Sequence, residues 1–565
     1  MAVYSDDYYD FIIDYNGGYP VEDAVCYQRV NDRFDVAYYA RSGTPELNAV
    51  DYPYSILPKC FALTDQTAQE VSGILRLQNP AGLDLQGQGI LVGFLDTGID
   101  YTHPAFRNTD GTTRIAAMWD QTIEDGEPPE GLSYGAYYDE SGINAALASE
   151  DPEKLVPERD ENGHGTFLAG VACGSADPAM DFTGAAPLSQ LLVVKCKQAK
   201  QYLREYYFVP EGADCYQEND LMLAMAWLNQ MAERLRKPLI ICVGMGSAMG
   251  SHAGEDAISA LCDEIGRLRQ RGIVVSAGNE ANARHHYFRS GLYEGQTDAI
   301  EVSVGDRVPG FYLECRTAAP EISRVSVLSP TGERFQGTGA FSGRQSHVFL
   351  FEKTTLTVDY AFTGTSPGGQ IIFLRFSDPW PGIWTVELMP VLAIEGNFHC
   401  WLPIGSLMQG EVFFLQPDPD TTILSPGFST AAVTAGAYRA VGGGADPDSG
   451  RGYSVTGTVK PDVLAPGVHV YGPEPGIVLP GPGTGAGGAG SGTSVSAALT
   501  AGACAQIFQW GILEQDLTWL NSTHLTNILT RGAGRDSDRV YPDRVYGYGL
   551  LDVYGALDAL RITAG

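Results

Sequence analysis

The chain has 565 residues, 44% of them hydrophobic, and a formal net charge of −32 at pH 7. This length predicts several domains with a large buried core. The acidity argues against nucleic acid and anionic membranes as partners, because both carry negative charge themselves. Residues 1–15 lack the basic start and apolar core of a secretion signal, and no run approaches the ~18 apolar residues of a spanning helix. We therefore expect a cytoplasmic protein without a transmembrane segment.

Residues 1–66 have the pattern of a small α/β unit. Runs rich in aromatic and β-branched residues predict three strands, at Asp10–Tyr15, Ala24–Val30 and Phe34–Ala40. An extended segment, Tyr54–Gln66, follows them. This unit precedes a much longer α/β pattern and is expected to be separate from it.

Residues 67–286 have the pattern of the first part of an α/β domain. The predicted strands are Ile90–Leu95, Ser189–Lys195, Pro238–Val243 and Ile273–Ser276, and the predicted helices are His164–Cys173, Asp220–Leu235 and Glu255–Arg271. The strands are continuous apolar runs that alternate with the helices. This alternation predicts a parallel sheet with helices on both faces.

Residues 287–427 change to an all-β pattern. Alternating runs occur at His347–Phe351, Thr355–Ala361, Gln370–Phe376 and Ile383–Leu388. Turn clusters separate these runs, so we predict a β-sandwich inserted into the α/β domain. The α/β pattern resumes in residues 428–565, where a Gly- and Pro-rich stretch, Gly472–Gly492, leads into a predicted helix at Thr493–Trp510.

Three short motifs carry an acid, an imidazole and a hydroxyl. Asp96 follows an apolar strand in GFLDTGID, His164 lies between glycines in NGHGT, and Ser494 starts a helix in GTSVSA. Each alone also has a structural interpretation, as a turn residue, a packed histidine or a helix N-cap. Together they suit nucleophilic catalysis, in which the imidazole activates the hydroxyl and the acid orients the imidazole.

A fourth residue supports this interpretation. Asn279 follows a predicted strand in SAGNE, and its amide N–H is suited to stabilising an oxyanion. The chain order Asp, His, Ser is that of subtilisins. The sequence therefore predicts acyl transfer with Asp96, His164 and Ser494 as the triad and Asn279 in the oxyanion hole.

These motifs resemble the subtilase family of serine endopeptidases. Other segments that resemble subtilase motifs are Thr183–Leu188, Ile240–Gly250, Lys460–Gly467 and Tyr546–Leu560. The resemblance implies a subtilisin-like fold that cleaves protein substrates without a cofactor. It also implies that Gly244, Met245 and Gly246 wall the first substrate pocket, where glycines leave room for a substrate strand; packing is the alternative role for Met245.

The sequence departs from the family pattern GTSxAxP after the nucleophile, because Ser496 and Ala498 replace Ala and Pro. The usual calcium-binding loop is also missing, since Gly174–Phe182 lacks the expected Asn-rich form. The ten cysteines are scattered without a CxxC pair. We expect no metal site and no disulfide framework. Weak Ca²⁺ binding by the two acids of Gly174–Phe182 is the alternative to a plain surface loop.

The layout is similar to that of the Csp-type germination proteases of spore-forming Clostridia. That resemblance implies that the insert is a jelly roll and that residues 1–66 form a prodomain, an intramolecular chaperone that the enzyme cuts off itself. We expect the cut near Gln66 and Thr67, with the prodomain bound in cis or as a cleaved inhibitor. The resemblance further implies a spore-associated protease that activates the zymogen of a cortex-lytic hydrolase.

Three other interpretations remain open. The protein is alternatively a pseudoprotease that binds or senses without turnover, or a general intracellular subtilisin that degrades many proteins. The inserted sandwich is alternatively a carbohydrate-binding module, since it contains Trp380, Trp384 and Trp401. Such aromatic residues more commonly pack in a core.

Overall fold

The computed structural model describes ten segments of the chain. They are residues 2–15, 24–48, 50–63, 70–79, 81–176, 182–338, 343–363, 368–440, 442–475 and 488–563. Among the described residues, no helix is both long and apolar enough to cross a bilayer.

The N-terminal unit contains a three-stranded antiparallel sheet in the order β1-β3-β2. The strands of this sheet are β1 (Tyr8–Asp14), β2 (Cys26–Arg29) and β3 (Phe34–Ala40). Strand β4 (Cys60–Leu63) and helix α1 (Ile74–Gln78) follow along the chain. The described residues before position 64 hold no α-helix. Residues 16–23, between β1 and β2, lie outside the described segments.

The α/β domain begins with strands and helices that alternate along the chain. The strands are β5 (Leu91–Asp96), β6 (Ile115–Asp120), β7 (Ala136–Asp139), β8 (Gln190–Lys195), β9 (Tyr216–Gln217), β10 (Leu239–Val243), β11 (Met245–Gly246) and β12 (Arg271–Ser276). The helices are α2 (Glu140–Leu147), α3 (His164–Cys173), α4 (Gln201–Tyr206), α5 (Glu218–Leu235) and α6 (Ala257–Arg267).

An all-β region interrupts this domain. Its strands are β13 (His286–Arg289), β14 (Asp298–Val304), β15 (Gly310–Ala318), β16 (Ile322–Leu328), β17 (Arg334–Gln336), β18 (Gly343–Val348), β19 (Thr355–Thr363), β20 (Gly369–Ser377), β21 (Gly382–Leu392), β22 (Phe398–Trp401) and β23 (Val412–Phe414). They form two antiparallel sheets, β13-β22-β15-β20-β19-β18 and β17-β16-β21-β14-β23, whose buried side chains share one hydrophobic core. The jelly-roll connectivity of this sandwich stays a prediction.

The tryptophans of the sandwich bear on its alternative role in carbohydrate binding. Trp384 and Trp401 are buried, whereas Trp380 is 53% exposed. Because sugar-binding surfaces need exposed ring faces, two of the three tryptophans serve as packing in this structure.

The C-terminal part completes the α/β domain. Its elements are β24 (Val433–Tyr438), β25 (Val463–Pro466), β26 (Val468–Gly472), β27 (Gly488–Ser491), α7 (Thr493–Phe508), α8 (Ser522–Gly532) and α9 (Val553–Thr563). The central sheet has the order β25-β24-β12-β10-β5-β8-β6-β7. Neighbouring strands are parallel except for the edge pair β6 and β7.

Helices cover both faces of the central sheet, as the sequence predicts. Val92 and Phe94 of β5 pack in a core shared with α3 and α7, whereas Leu91 and Leu95 face the core that includes α5 and α6. Because β5, β10 and β12 are parallel, their carboxyl ends meet at one edge of the sheet. That edge holds the residues that the sequence analysis singled out.

A buried ion pair attaches the N-terminal sheet to the α/β domain. Asp10 of β1 lies 2.6 Å from the Lys200 ammonium, with both side chains at most 3% exposed. The second carboxylate oxygen of Asp10 accepts a hydrogen bond from Gln217 at 2.8 Å. The N-terminal unit therefore docks through a polar contact as well as through its apolar face.

We expect Asp10→Ala to lower the free energy of unfolding by about 3–5 kcal/mol, because the Lys200 ammonium stays buried without its counter-charge. Denaturant unfolding of the full chain measures this change, with Ser494→Ala in every sample so that residues 1–66 stay attached. Asp32→Ala is the matched control, because Asp32 pairs with Arg29 in full solvent and such pairs contribute little. Equal stability of the two variants would contradict the role of the buried pair.

Candidate active site

The structure brings Asp96, His164 and Ser494 together in one hydrogen-bonded line. Nδ1 of His164 lies 2.7 Å from Oδ1 of Asp96, and Nε2 lies 3.2 Å from Oγ of Ser494. The three residues are at the end of β5, at the start of α3 and in the first turn of α7. All three side chains are buried. In this geometry the imidazole is positioned to take the Ser494 proton and make the oxygen nucleophilic.

Asp160 holds the first turn of α3 against the end of β5, a role that the sequence analysis missed. One carboxylate oxygen accepts hydrogen bonds from the Thr97 hydroxyl at 2.7 Å and the Gly163 N–H at 2.8 Å. The other accepts from the Thr166 N–H and hydroxyl, at 2.8 and 2.6 Å. Asp160 thus caps the helix whose own N-cap, Gly163, has no side chain. The signal in the sequence is an acid just before NGHGT.

Asn279 lies beside the start of α7. Its Oδ1 accepts a hydrogen bond from the Thr493 N–H at 3.2 Å, which fixes the amide plane and leaves Nδ2 as the donating side. The Thr493 hydroxyl in turn accepts from the Gly278 N–H at 2.9 Å. The Ser494 N–H is in the first helical turn, where it has no partner within the helix. These two N–H groups form the candidate oxyanion site.

The departures after the nucleophile fit the packing around α7. The Ser496 hydroxyl donates to the carbonyls of Ala465 and Pro466 of β25, at 3.1 and 3.3 Å. Ala498 is fully buried. The extra hydroxyl is therefore satisfied, and the helix continues through position 498 without a proline break.

The segment Gly244–Gly246 follows β10 at the same edge of the sheet. A Cβ on Gly244 would lie 2.5 Å from the Leu168 side chain and 3.4 Å from both Asp96 Oδ2 and His164 Cε1. A Cβ on Gly246 would lie 2.6 Å from Leu424. The Met245 side chain is fully buried in the core. The space between β9 and β11 is the cleft of this site. Its wall at Gly244–Gly246 is formed by backbone, and the Met245 side chain packs behind that wall.

The N-terminal segment occupies the cleft beside this wall. In β4, Leu63 and Ala62 pair antiparallel with Met245 and Gly246 of β11. The other edge of β4 pairs antiparallel with β9. Extended peptides bind enzymes and other proteins by this type of strand addition. The predicted cleavage residues Gln66 and Thr67 lie outside the described segments.

Within the described residues, no group of three or more His, Cys, Asp or Glu side chains is arranged to hold a metal ion. The segment Gly174–Phe182 stands where the family has its calcium-binding loop. Within it, residues 177–181 lie outside the described segments.

We expect Gly244→Ala to slow the acylation of Ser494 by a fluorophosphonate about 10²-fold, because its Cβ would press on Leu168 of α3, the helix that carries His164, and displacements of about 1 Å at a catalytic pair have effects of that size. The measurement is the pseudo-first-order rate of probe labelling. Gly444→Ala is the control, since a Cβ there meets nothing within 4 Å. An unchanged rate for Gly244→Ala would contradict the close packing against His164.

Comparison with known proteins shows which family and which solved structures the chain is similar to. A model of the subtilase family matches residues 87–307 and 395–549. The structure of the Clostridium perfringens CspB protease is similar, with a TM-score of 0.74 and 29% identity, over 87% of this chain and 98% of that chain.

Curated relatives match shorter stretches. The subtilisin-like protease SBT2.2 of Arabidopsis thaliana is 31% identical over 103 residues, 17% of this chain and 12% of that protein. The C5a peptidase of Streptococcus pyogenes serotype M1 is 23% identical over 229 residues, 40% of this chain and 17% of that protein. The chain thus spans less than a fifth of the length of these two relatives. The family model covers most of the chain, and the chain belongs to the subtilase family.

Proposed function

We propose that this protein is a serine endopeptidase with Asp96, His164 and Ser494 as its catalytic triad. The observation that carries the proposal is the position of the His164 ring, 2.7 Å from the Asp96 carboxylate and 3.2 Å from the Ser494 hydroxyl. Family membership and the adjacent amide of Asn279 support it.

The proposed reaction is acyl transfer in two steps. Nε2 of His164 takes the Ser494 proton as Oγ attacks the peptide carbonyl, and Asp96 holds the tautomer that has its hydrogen on Nδ1. Asn279 Nδ2 and the Ser494 N–H donate to the oxyanion of the tetrahedral intermediate. His164 then protonates the leaving amine, and water hydrolyses the acyl-enzyme by the same route.

The proposed substrate is an extended segment of a protein. The space between β9 and β11 already accepts β4 as a middle antiparallel strand. Its C-terminal residue, Leu63, pairs with Met245, next to the glycine that lies against the Asp96–His164 pair. If a substrate segment binds in place of β4 and in the same direction, the substrate residues that follow that segment enter the reactive centre.

We further propose that residues 1–66 are a prodomain that the enzyme cleaves near Gln66 and Thr67. The support is the pairing of β4 with Met245 and Gly246, which directly follow the glycine that lies against the Asp96–His164 pair. The resemblance of the layout to Csp-type germination proteases favours limited proteolysis of the zymogen of a cortex-lytic hydrolase as the physiological reaction, and the structural similarity to the CspB protease is compatible with this. Digestion of casein into many fragments would instead favour a general intracellular subtilisin.

We expect Ser494→Ala and His164→Ala each to lower peptide hydrolysis by about 10⁴- to 10⁶-fold, because the triad acts as a unit. The measurements are the hydrolysis rate and fluorophosphonate labelling of the purified chain. The wild type should be labelled at Ser494, and neither variant should be. Wild-type protein that resists both the probe and substrate turnover would contradict the proposal and favour a pseudoprotease.

We expect the purified wild type to have a new amino terminus near Thr67, because the preceding strand lies in the cleft. Amino-terminal sequencing or intact-mass measurement detects the cut. Ser494→Ala is the control and should keep its original start. A uniform, uncut start in the wild type would contradict self-cleavage, and a cut in Ser494→Ala would assign the cleavage to another protease.

A further inference from the structure

A buried ion pair joins the N-terminal segment to the wall of the cleft. The Lys59 ammonium lies 3.1 Å from Oε2 of Glu218, and the two side chains are 3% and 0% exposed. The same oxygen accepts from the Lys59 N–H at 3.2 Å, and the Glu218 N–H donates to the Lys59 carbonyl at 3.0 Å. Glu218 therefore binds Lys59 through both its backbone and its charge.

This pair lies at the amino-terminal end of the strand that occupies the cleft. Lys59 directly precedes β4, and Glu218 directly follows β9, which pairs with β4. The other end of β4 reaches Met245, adjacent to Gly244 and the Asp96–His164 pair. Lys59 thus precedes by four residues the position that pairs with Met245.

Lys59 stabilises the ionised form of Glu218 when the cleft is filled. Burial raises the pKa of its carboxyl group, and the charge of Lys59 opposes that rise. Its Oε1 accepts only the Ile258 N–H among the described hydrogen bonds, at 3.2 Å. A buried carboxylate without a counter-charge is strongly destabilised. A bound chain that lacks a cation at this point leaves Glu218 in that state.

The cation of this pair belongs to the segment that a substrate replaces. The buried pair of Asp10 and Lys200 differs, because there the α/β domain supplies the cation and the N-terminal unit the acid. Removal of β4 from the cleft therefore leaves an anionic pocket at Glu218, on the side of the substrate that precedes the cut.

We propose that Glu218 forms a subsite that selects a lysine or arginine in the protein substrate, at the position that Lys59 occupies in this structure. The inference rests on the proposed endopeptidase function and adds a substrate class to it. The selected sequences carry a basic residue four positions before the residue that pairs with Met245.

The test uses two synthetic peptides that copy residues 54–72 and differ only in Lys or Met at position 59, with Ser in place of Cys60. For the wild-type chain after self-cleavage, we expect kcat/KM for the Met peptide to be lower by about 30-fold or more, because a buried charge pair loses one partner. For Glu218→Gln we expect that ratio to fall below about fivefold, since the ammonium then meets an uncharged amide oxygen and has no counter-charge.

The ratio is measured within one preparation, so partial unfolding of a variant lowers both rates equally and does not change it. Asp462→Asn is the matched control. It weakens a buried pair with Lys460 outside the cleft and should keep the wild-type ratio. Moving the lysine of the peptide to position 58 tests the wild type alone and should abolish the preference.

The outcomes separate the two proposals. Equal hydrolysis of both peptides by the wild type would overturn the Glu218 subsite and leave the endopeptidase function standing. An unchanged ratio in Glu218→Gln would also overturn it. Failure of the wild type to hydrolyse either peptide would contradict the endopeptidase function, and the subsite with it.

Discussion

The hydrogen bonds of the His164 ring to Asp96 and Ser494 require an acid and a hydroxyl from distant parts of the chain to meet on opposite sides of one imidazole. The parallel sheet satisfies this requirement, because β5 ends at Asp96 and β12 ends just before Asn279, at the same edge. Helices α3 and α7 begin at that edge and carry His164 and Ser494 in their first turns. The arrangement of these strands and helices therefore brings together four side chains that are far apart in the sequence.

Close backbone packing then fixes the distances within the site. A Cβ on Gly165 would lie 2.2 Å from the Gly98 carbonyl, so only glycine lets α3 approach the end of β5 this closely. Asp160 connects the same two elements through four hydrogen bonds. The approach and the hydrogen bonds act together, since the polar contacts form only at the distance that glycine permits. The His164 ring is thus positioned by groups that need not touch a substrate.

The sequence predicts the elements of this site well because their signals are local. The start of α3 at His164 and of α7 at Thr493 agree with the prediction, since apolar runs and flanking glycines mark both helices. The contacts of Asp160 with Thr97 and of Glu218 with Lys59 could not be predicted, because only the folded chain brings these residues near each other. The burial of Met245 likewise depends on the packing of a core from several distant segments. Long-range contacts of this kind leave no periodic signal.

The cleft holds β4 by backbone pairing, and this limits where the proposed substrate specificity arises. β9 and β11 are two residues each, and β4 completes them as the middle strand of a three-stranded sheet. Any extended chain supplies the same hydrogen bonds, so strand pairing by itself discriminates poorly among sequences. Discrimination must come from side chains that a substrate buries, and a buried charge discriminates more strongly than an apolar contact, because its unpaired state is so costly. The carboxylate at the end of the cleft is therefore better suited to select among chains than the backbone wall beside the triad.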